Sequence, residues 1–136
     1  MPSEIDWPAA TWIIPATRMK SGREHRVPLA VEALGLLSGL PREDANPYLF
    51  MGAVAHRGLS LSALHRVLRS MRPDLTVHGF RSSFRDWAAE TTSHSSEVVE
   101  MALAHAVGSR VEAAYRRGDL LEKRRALMSE WAKFLG

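Results

Sequence analysis

The chain has 136 residues, 46% of them hydrophobic and 24% charged, which is enough for one globular domain with a core of its own. It contains no cysteine, so disulfide frameworks and thiolate metal sites are excluded, and a reducing, cytoplasmic setting fits. The formal net charge is +3; no apolar run approaches the roughly 20 residues of a membrane span, and "MPSEIDWPAATW" lacks the basic and apolar regions of a signal peptide.

The positive charge is carried by fifteen arginines against three lysines, Lys20, Lys123 and Lys133. A guanidinium offers a planar fork of donors that grips phosphate at two points, which an ammonium cannot. An arginine-heavy composition therefore points either to a phosphate-bearing partner or to a genome rich in arginine codons.

"ATWIIP" (residues 10–15) is short, β-branched and closed by proline, and is predicted as a strand. "EHRVPL" is a second strand after the turn signal Ser21-Gly22, so the two form a hairpin with Lys20 at or beside its tip. Ala30, Ala33, Leu34, Leu37 and Leu40 have helical spacing, ended by Gly39 and Pro41. "PREDANP" is a polar loop and "YLFMG" a short apolar stretch of extended type. Ser60 opens a helix bearing Leu61, Leu64, Leu68 and Met71, stopped by Pro73. Phe80, Phe84, Trp87 and Thr91 mark the next helix, and another runs from Ser95 or Ser96 to about Ala106, with Glu97 and Glu100 suiting the dipole of its early turns. Ser109 with Glu112 and Asp119 with Glu122 have capping-box spacing. They bracket a short helix containing Tyr115, ended by Gly118, and a last helix with Leu120, Leu127, Met128, Trp131 and Leu135. No repeat or linker is visible. The fold class is mainly α (α+β), a helical domain with a small antiparallel sheet near its start.

"TVHGFRSSFRDWAAE" (residues 76–90) holds the first chemically suggestive residues. His78 precedes a helix and Arg81 lies in its first turn, where unpaired backbone N–H groups already favour an anion. Taken alone, so short a motif reads more readily as a solvated arginine and a capping histidine. Arg85, one turn on, reads as an ion-pairing, supporting residue. Farther along, "EMALAHAVGSRVEAAYRRGDLLEKRR" places His105 at the end of one helix and Tyr115 ten residues later.

The order H-x-x-R, then "LAH", then a tyrosine before a basic pair resembles the tyrosine recombinases, the phage integrase family. "RMKSGREHRVPL", "HGFRSSFRDWAAE", "EMALAHAVGSRVEAAYRR" and "KRRALMSEWAKFL" are similar to segments of integrases from satellite prophages and genomic islands. The resemblance implies that Tyr115 attacks the scissile phosphate and becomes joined to the 3′ phosphate, with Arg81 and His105 on the non-bridging oxygens. It gives His78 a part in proton transfer and makes Lys20 the general acid for the departing 5′ hydroxyl. The chemistry suits these residue types. A phenol is a nucleophile whose phosphodiester conserves bond energy for religation, and guanidinium answers charge spreading over phosphoryl oxygens. No metal or nucleotide cofactor is needed. Arg18, Arg26 and Arg85 are further candidates for DNA phosphates.

The implied partners are double-stranded DNA and other recombinase protomers, including a homodimer of this chain, with no membrane. The family's catalytic set also includes an earlier arginine, on a helix before the first strand, and a separate N-terminal DNA clamp. Neither has a counterpart here, so residues 1–136 are expected to be a single, partial catalytic domain truncated before the first strand and nearly inactive alone. Two alternatives stay open: a non-catalytic DNA-binding or regulatory remnant of the same fold, and a helical protein-interaction module.

Overall fold

The computed structural model describes residues 2–60, 62–105 and 118–136. Its sheet has three antiparallel strands in sequence order: β1 (Ile5–Asp6), β2 (Thr11–Ile14) and β3 (His25–Pro28). Ile5 lies opposite Trp12, Thr11 opposite Pro28 and Ile14 opposite His25. Proline has no N–H to give a ladder, and Pro28 sits where β3 ends. The β2–β3 connection carries a 3-10 turn at Ala16–Arg18, and Gly22 takes φ +64°, the left-handed conformation the Ser21-Gly22 signal calls for.

Among the described residues five α-helices follow: α1 (Val31–Ser38), α2 (Ala63–Met71), α3 (Gly79–Thr91), α4 (Ser96–Ala102) and α5 (Leu121–Leu135). The sequence-based element order holds, with four corrections at the ends. The first is α2, which begins at Ala63 rather than Ser60, because Ser60 accepts the Ala63 N–H within a preceding turn. Second, the extended character of "YLFMG" is confined to one isolated bridge, Met51 to Gly58, within a loop. Third, α4 stops at Ala102, four residues before the expected end, because Ala104 turns left-handed at φ 56°. Last, Asp119 and Glu122 form no capping box. The N-cap of α5 is Leu120, at φ 53° and without a side-chain cap bond, and the Asp119 carboxylate is taken by two arginines. The Ser109–Glu112 pair and the short helix around Tyr115 lie outside the described residues.

The core is built by α3, α4 and α5. Phe84, Ala88, Val98, Val99 and Leu127 are buried together, with Trp87, Leu103, Leu120, Met128 and Trp131 packed around them. Phe84 meets Trp131 edge to face, centroids 5.4 Å apart and planes at 84°. Because α5 also packs on β3, the sheet and the helical core are held by one element. α2 is different: its apolar Leu64, Val67 and Met71 are 60%, 57% and 72% exposed. No helix among the described residues is long and apolar enough to cross a membrane.

Candidate phosphate-binding site

The start of α3 is fixed by Thr76, whose hydroxyl and carbonyl both accept the Gly79 N–H, at 3.1 and 3.0 Å. His78 occupies the N-cap position with helical φ/ψ (−67°, −31°) and makes no capping bond. The capping role open to His78 in the sequence therefore falls to Thr76, and the imidazole is left exposed at the helix end. Arg81 follows in the first turn.

The end of α4 explains how His105 reaches Arg81. The His105 N–H bonds to the Glu100 carbonyl at 2.9 Å, and the Ala104 N–H to the Met101 carbonyl at 3.1 Å. This is a Schellman stop, with Ala104 in the left-handed position that glycine usually fills. An alanine there costs on the order of 1 kcal/mol, and the turn throws His105 back over the last turn of α4.

The side chains then converge from two helices. Arg81 Nη2 lies 2.7 Å from His105 Nε2 and donates to the Leu103 carbonyl at 2.6 Å. His105 Nδ1 lies 2.5 Å from Glu100 Oε2, and Arg85 Nε donates to Glu100 Oε1 at 2.6 Å. A carboxylate can only accept, so Nδ1 carries the hydrogen and Nε2 is the acceptor facing Arg81. Hydrogen bonds from His105 and then from Arg85 hold the Glu100 carboxyl below its usual range. Arg81 and His105 are both exposed, and no described residue accepts from Nε or Nη1 of Arg81. Nε and Nη1 of Arg81 thus stand without a described acceptor beside an imidazole in the first turn of a thirteen-residue helix, whose Gly79 and Arg81 N–H groups are bonded to Thr76 and His78. A guanidinium with donors to spare next to an imidazole can take a tetrahedral anion.

Comparison with known proteins bears on which anion. The chain is 35% identical to prophage integrase IntA of Escherichia coli K12, over 95% of its own length and 32% of the relative's. It is 32% identical to prophage integrase IntZ of the same strain, over 90% of its length and 31% of the relative's. To the integrase of enterobacteria phage P4 it is 31% identical, over 97% and 34%. Over nine tenths or more of its own length the chain is thus similar to proteins named as prophage and phage integrases. It spans about a third of the length of the curated relatives it matches. No family model matches it, and no solved structure matches it significantly.

The other expected site residues are more scattered. Lys20 is exposed on the β2–β3 connection, where the hairpin was expected to hold it, and forms no ion pair with a described residue. Tyr115 lies outside the described residues. The three arginines named as further phosphate candidates are each matched to a carboxylate. Arg18 donates to both oxygens of Glu4 at 2.6 and 2.5 Å, and Arg26 grips Asp119 with two bonds of 2.8 Å. Arg85 holds Glu100, the supporting role read from its position. Burial pushes Glu4 up, but the Arg18 and Trp12 hydrogen bonds lead the opposing effects, and its carboxyl settles at about 2.

Two residues escaped the sequence reading. Glu100 was seen only as a dipole-matching residue of an early turn, yet it stands behind both His105 and Arg85. The available signal was its place five residues before His105, the offset a Schellman stop brings together. Arg124 has no assigned role in the sequence reading, yet its side chain is 1% exposed and donates to the Arg26 carbonyl, the Asp119 carbonyl and the Asp119 carboxylate.

Proposed function

We propose that this chain supplies the phosphate-handling part of a site-specific DNA recombinase that integrates or excises a mobile element through a 3′-phosphotyrosine intermediate. The observation that carries the reading is the meeting of Arg81 and His105, 24 residues apart in sequence, at 2.7 Å on an exposed helix N-terminus. In the reaction, Arg81 and His105 bind the non-bridging oxygens of the scissile phosphate as charge accumulates there. Tyr115 attacks phosphorus, and the bond to the 5′ oxygen breaks. Lys20 donates the proton that the leaving oxygen needs, and His78, exposed at the same helix end, takes part in moving protons. Religation runs the same steps backwards with a new 5′ hydroxyl.

Two arginines are expected on the phosphate in this family, and among the described residues Arg81 alone stands beside His105. One missing oxyanion donor typically costs on the order of a hundred- to a thousandfold in rate. The 136 residues by themselves are therefore expected to cleave DNA slowly, and a chimera in which they replace the matching third of prophage integrase IntA to cleave faster. The test is a nicked suicide duplex bearing the attachment site beside the encoding gene, with covalent protein–DNA bands read on a denaturing gel. The chimera should form the band and its Tyr115→Phe variant should not, because the ring remains and the oxygen is gone. A band that persists in Tyr115→Phe rules out the nucleophile, and DNA binding without any band in the chimera marks a non-catalytic DNA-binding domain.

A further inference from the structure

The proposed reaction leaves Glu100 without a part, although it is the residue with most influence over where His105 points. Its Oε2 takes His105 Nδ1, its Oε1 takes Arg85 Nε, and its own carbonyl takes the His105 N–H. Three bonds from one residue therefore fix the backbone, the ring and a neighbouring guanidinium. The Glu100 side chain is 24% exposed against 45% for His105 and 62% for Arg85, so the carboxylate sits behind the two groups it holds.

We propose that Glu100 is the positioning residue of this site: it locks His105 in the form that carries a hydrogen on Nδ1, and supplies the counter-charge that His105 needs when Nε2 turns to a phosphate. The first half follows from acceptor chemistry. With Nδ1–H committed to Glu100, the nitrogen at Arg81 is Nε2, and in the absence of DNA it accepts from Arg81 Nη2. The second half follows from charge. A phosphate oxygen is an acceptor, so Nε2 can hold it only by bringing a hydrogen of its own. A ring with hydrogens on both nitrogens is a cation, placed here against the Arg81 guanidinium and sharing the Glu100 carboxylate with Arg85. Glu100 is the one carboxylate bonded to the ring among the described residues, and it balances that third positive charge. A carboxylate that orients an imidazole and stabilises its charged form is a general device for making histidine work on oxyanions.

The inference rests on the recombinase reading, and two measurements keep the two apart. The first needs no DNA: long-range 1H–15N NMR of the 136-residue chain at neutral pH reports which nitrogen of His105 carries the hydrogen. We expect Nδ1 in the native chain, retention of Nδ1 in Glu100→Gln, whose carbonyl oxygen still accepts, and a shift toward Nε2 in Glu100→Ala. A hydrogen found on Nε2 in the native chain, or an unchanged ring in Glu100→Ala, overturns the proposal. The second is the rate of covalent adduct formation in the IntA chimera. Glu100→Gln keeps the ring in place but removes the charge, so it should slow the adduct on the order of tenfold to a hundredfold while DNA affinity stays within about twofold. A native rate in Glu100→Gln overturns the counter-charge. If no form of the chimera makes an adduct while the NMR result is as expected, the recombinase reading fails and the orienting role of Glu100 stands. Should Glu100→Ala fail to fold, Glu100→Gln and the native ring state carry both arms.

Discussion

Two clusters in this molecule are made of the same parts, arginines around one carboxylate, and they do opposite work. In the first, Asp119 joins α5 to β3 through Arg26 and Arg124. Arg124 is 1% exposed, and all three of its nitrogens have an acceptor. In the second, Glu100 joins α4 to α3 through Arg85 and His105, and the adjoining Arg81 has Nε and Nη1 without a described acceptor. A buried charge must have every donor satisfied, because each unmet one costs its full desolvation. An exposed one can leave donors to water, and donors left to water are free for a ligand. Unmet donors at an ordered surface, rather than the presence of arginine, separate the candidate site from the scaffold.

The largest expected effect is on the scaffold side. Asp119→Ala leaves Arg124 buried with no carboxylate, and removing one member of a buried pair typically costs about 3–5 kcal/mol. Urea unfolding should show a loss of that order. Arg124→Ala should cost less than Asp119→Ala, since Asp119 is 32% exposed and keeps Arg26. Equal stability of Asp119→Ala and the native chain would erase the distinction between the clusters. Arg81→Ala should behave in the opposite way. Stability should stay within about 0.5 kcal/mol, as for exposed substitutions generally. In the chimera, adduct formation should fall on the order of a hundred- to a thousandfold, with only a modest change in DNA affinity, because the arginine acts mainly on the transition state.

pH separates the two clusters more finely. Burial raises the Asp119 carboxyl, but Arg26 and Arg124 outweigh it, and the net direction is down. His25, on β3 beside this cluster, is lowered first by burial and then by Arg124. Both groups are depressed in the folded state, so the fold binds fewer protons than the unfolded chain. The stability they contribute is present above their unfolded values and is lost as pH falls. For His25 the loss begins below its ordinary value near 6.5, and for Asp119 it begins in the carboxylate range. Stability should therefore decline from pH 7 downward in two stages. His25→Gln should remove the first stage and Asp119→Asn should flatten the second. A native chain equally stable at pH 7 and pH 5 would contradict the His25 assignment.

Much of this architecture was legible in the sequence because it depends on local signals. The β2–β3 hairpin follows from β-branched residues and Ser21-Gly22, and α3 from the spacing of its aromatics. Periodicity failed where it had to say what a face meets. Leu64 and Val67 have the same spacing as Phe84 and Trp87, yet they are 60% and 57% exposed while Phe84 lies in the core and Trp87 packs against it. Asp119 failed differently. Its capping-box spacing is correct, but two arginines, one of them Arg26 on β3, 93 residues away in sequence, hold the carboxylate instead of a local N–H. The Arg81–His105 pair became readable only through the family resemblance, since three bonds that meet across α3 and α4 leave no short motif.

The smallest expected effects come from the two left-handed residues that flank the clusters. Ala104, at φ 56°, ends α4 and delivers His105; Leu120, at φ 53°, begins α5 beside Asp119. Both hold a backbone that costs a non-glycine residue on the order of 1 kcal/mol. Ala104 is exposed and its methyl group contributes little, so Ala104→Gly should raise stability by about 0.5–1 kcal/mol and leave the His105 ring state untouched. Leu120 is partly buried and packed against the core cluster. Leu120→Gly relieves the same backbone but removes that packing, which is worth roughly 1.5–3 kcal/mol when complete, so the net change should be a loss of roughly 1 kcal/mol. Paired melting curves of the two variants check this, and the diagnostic is the opposite sign. If both variants gain stability, the left-handed turn at Leu120 is not anchored by the core, and the rigidity assigned to the Asp119 cluster has to come from the ion pairs alone.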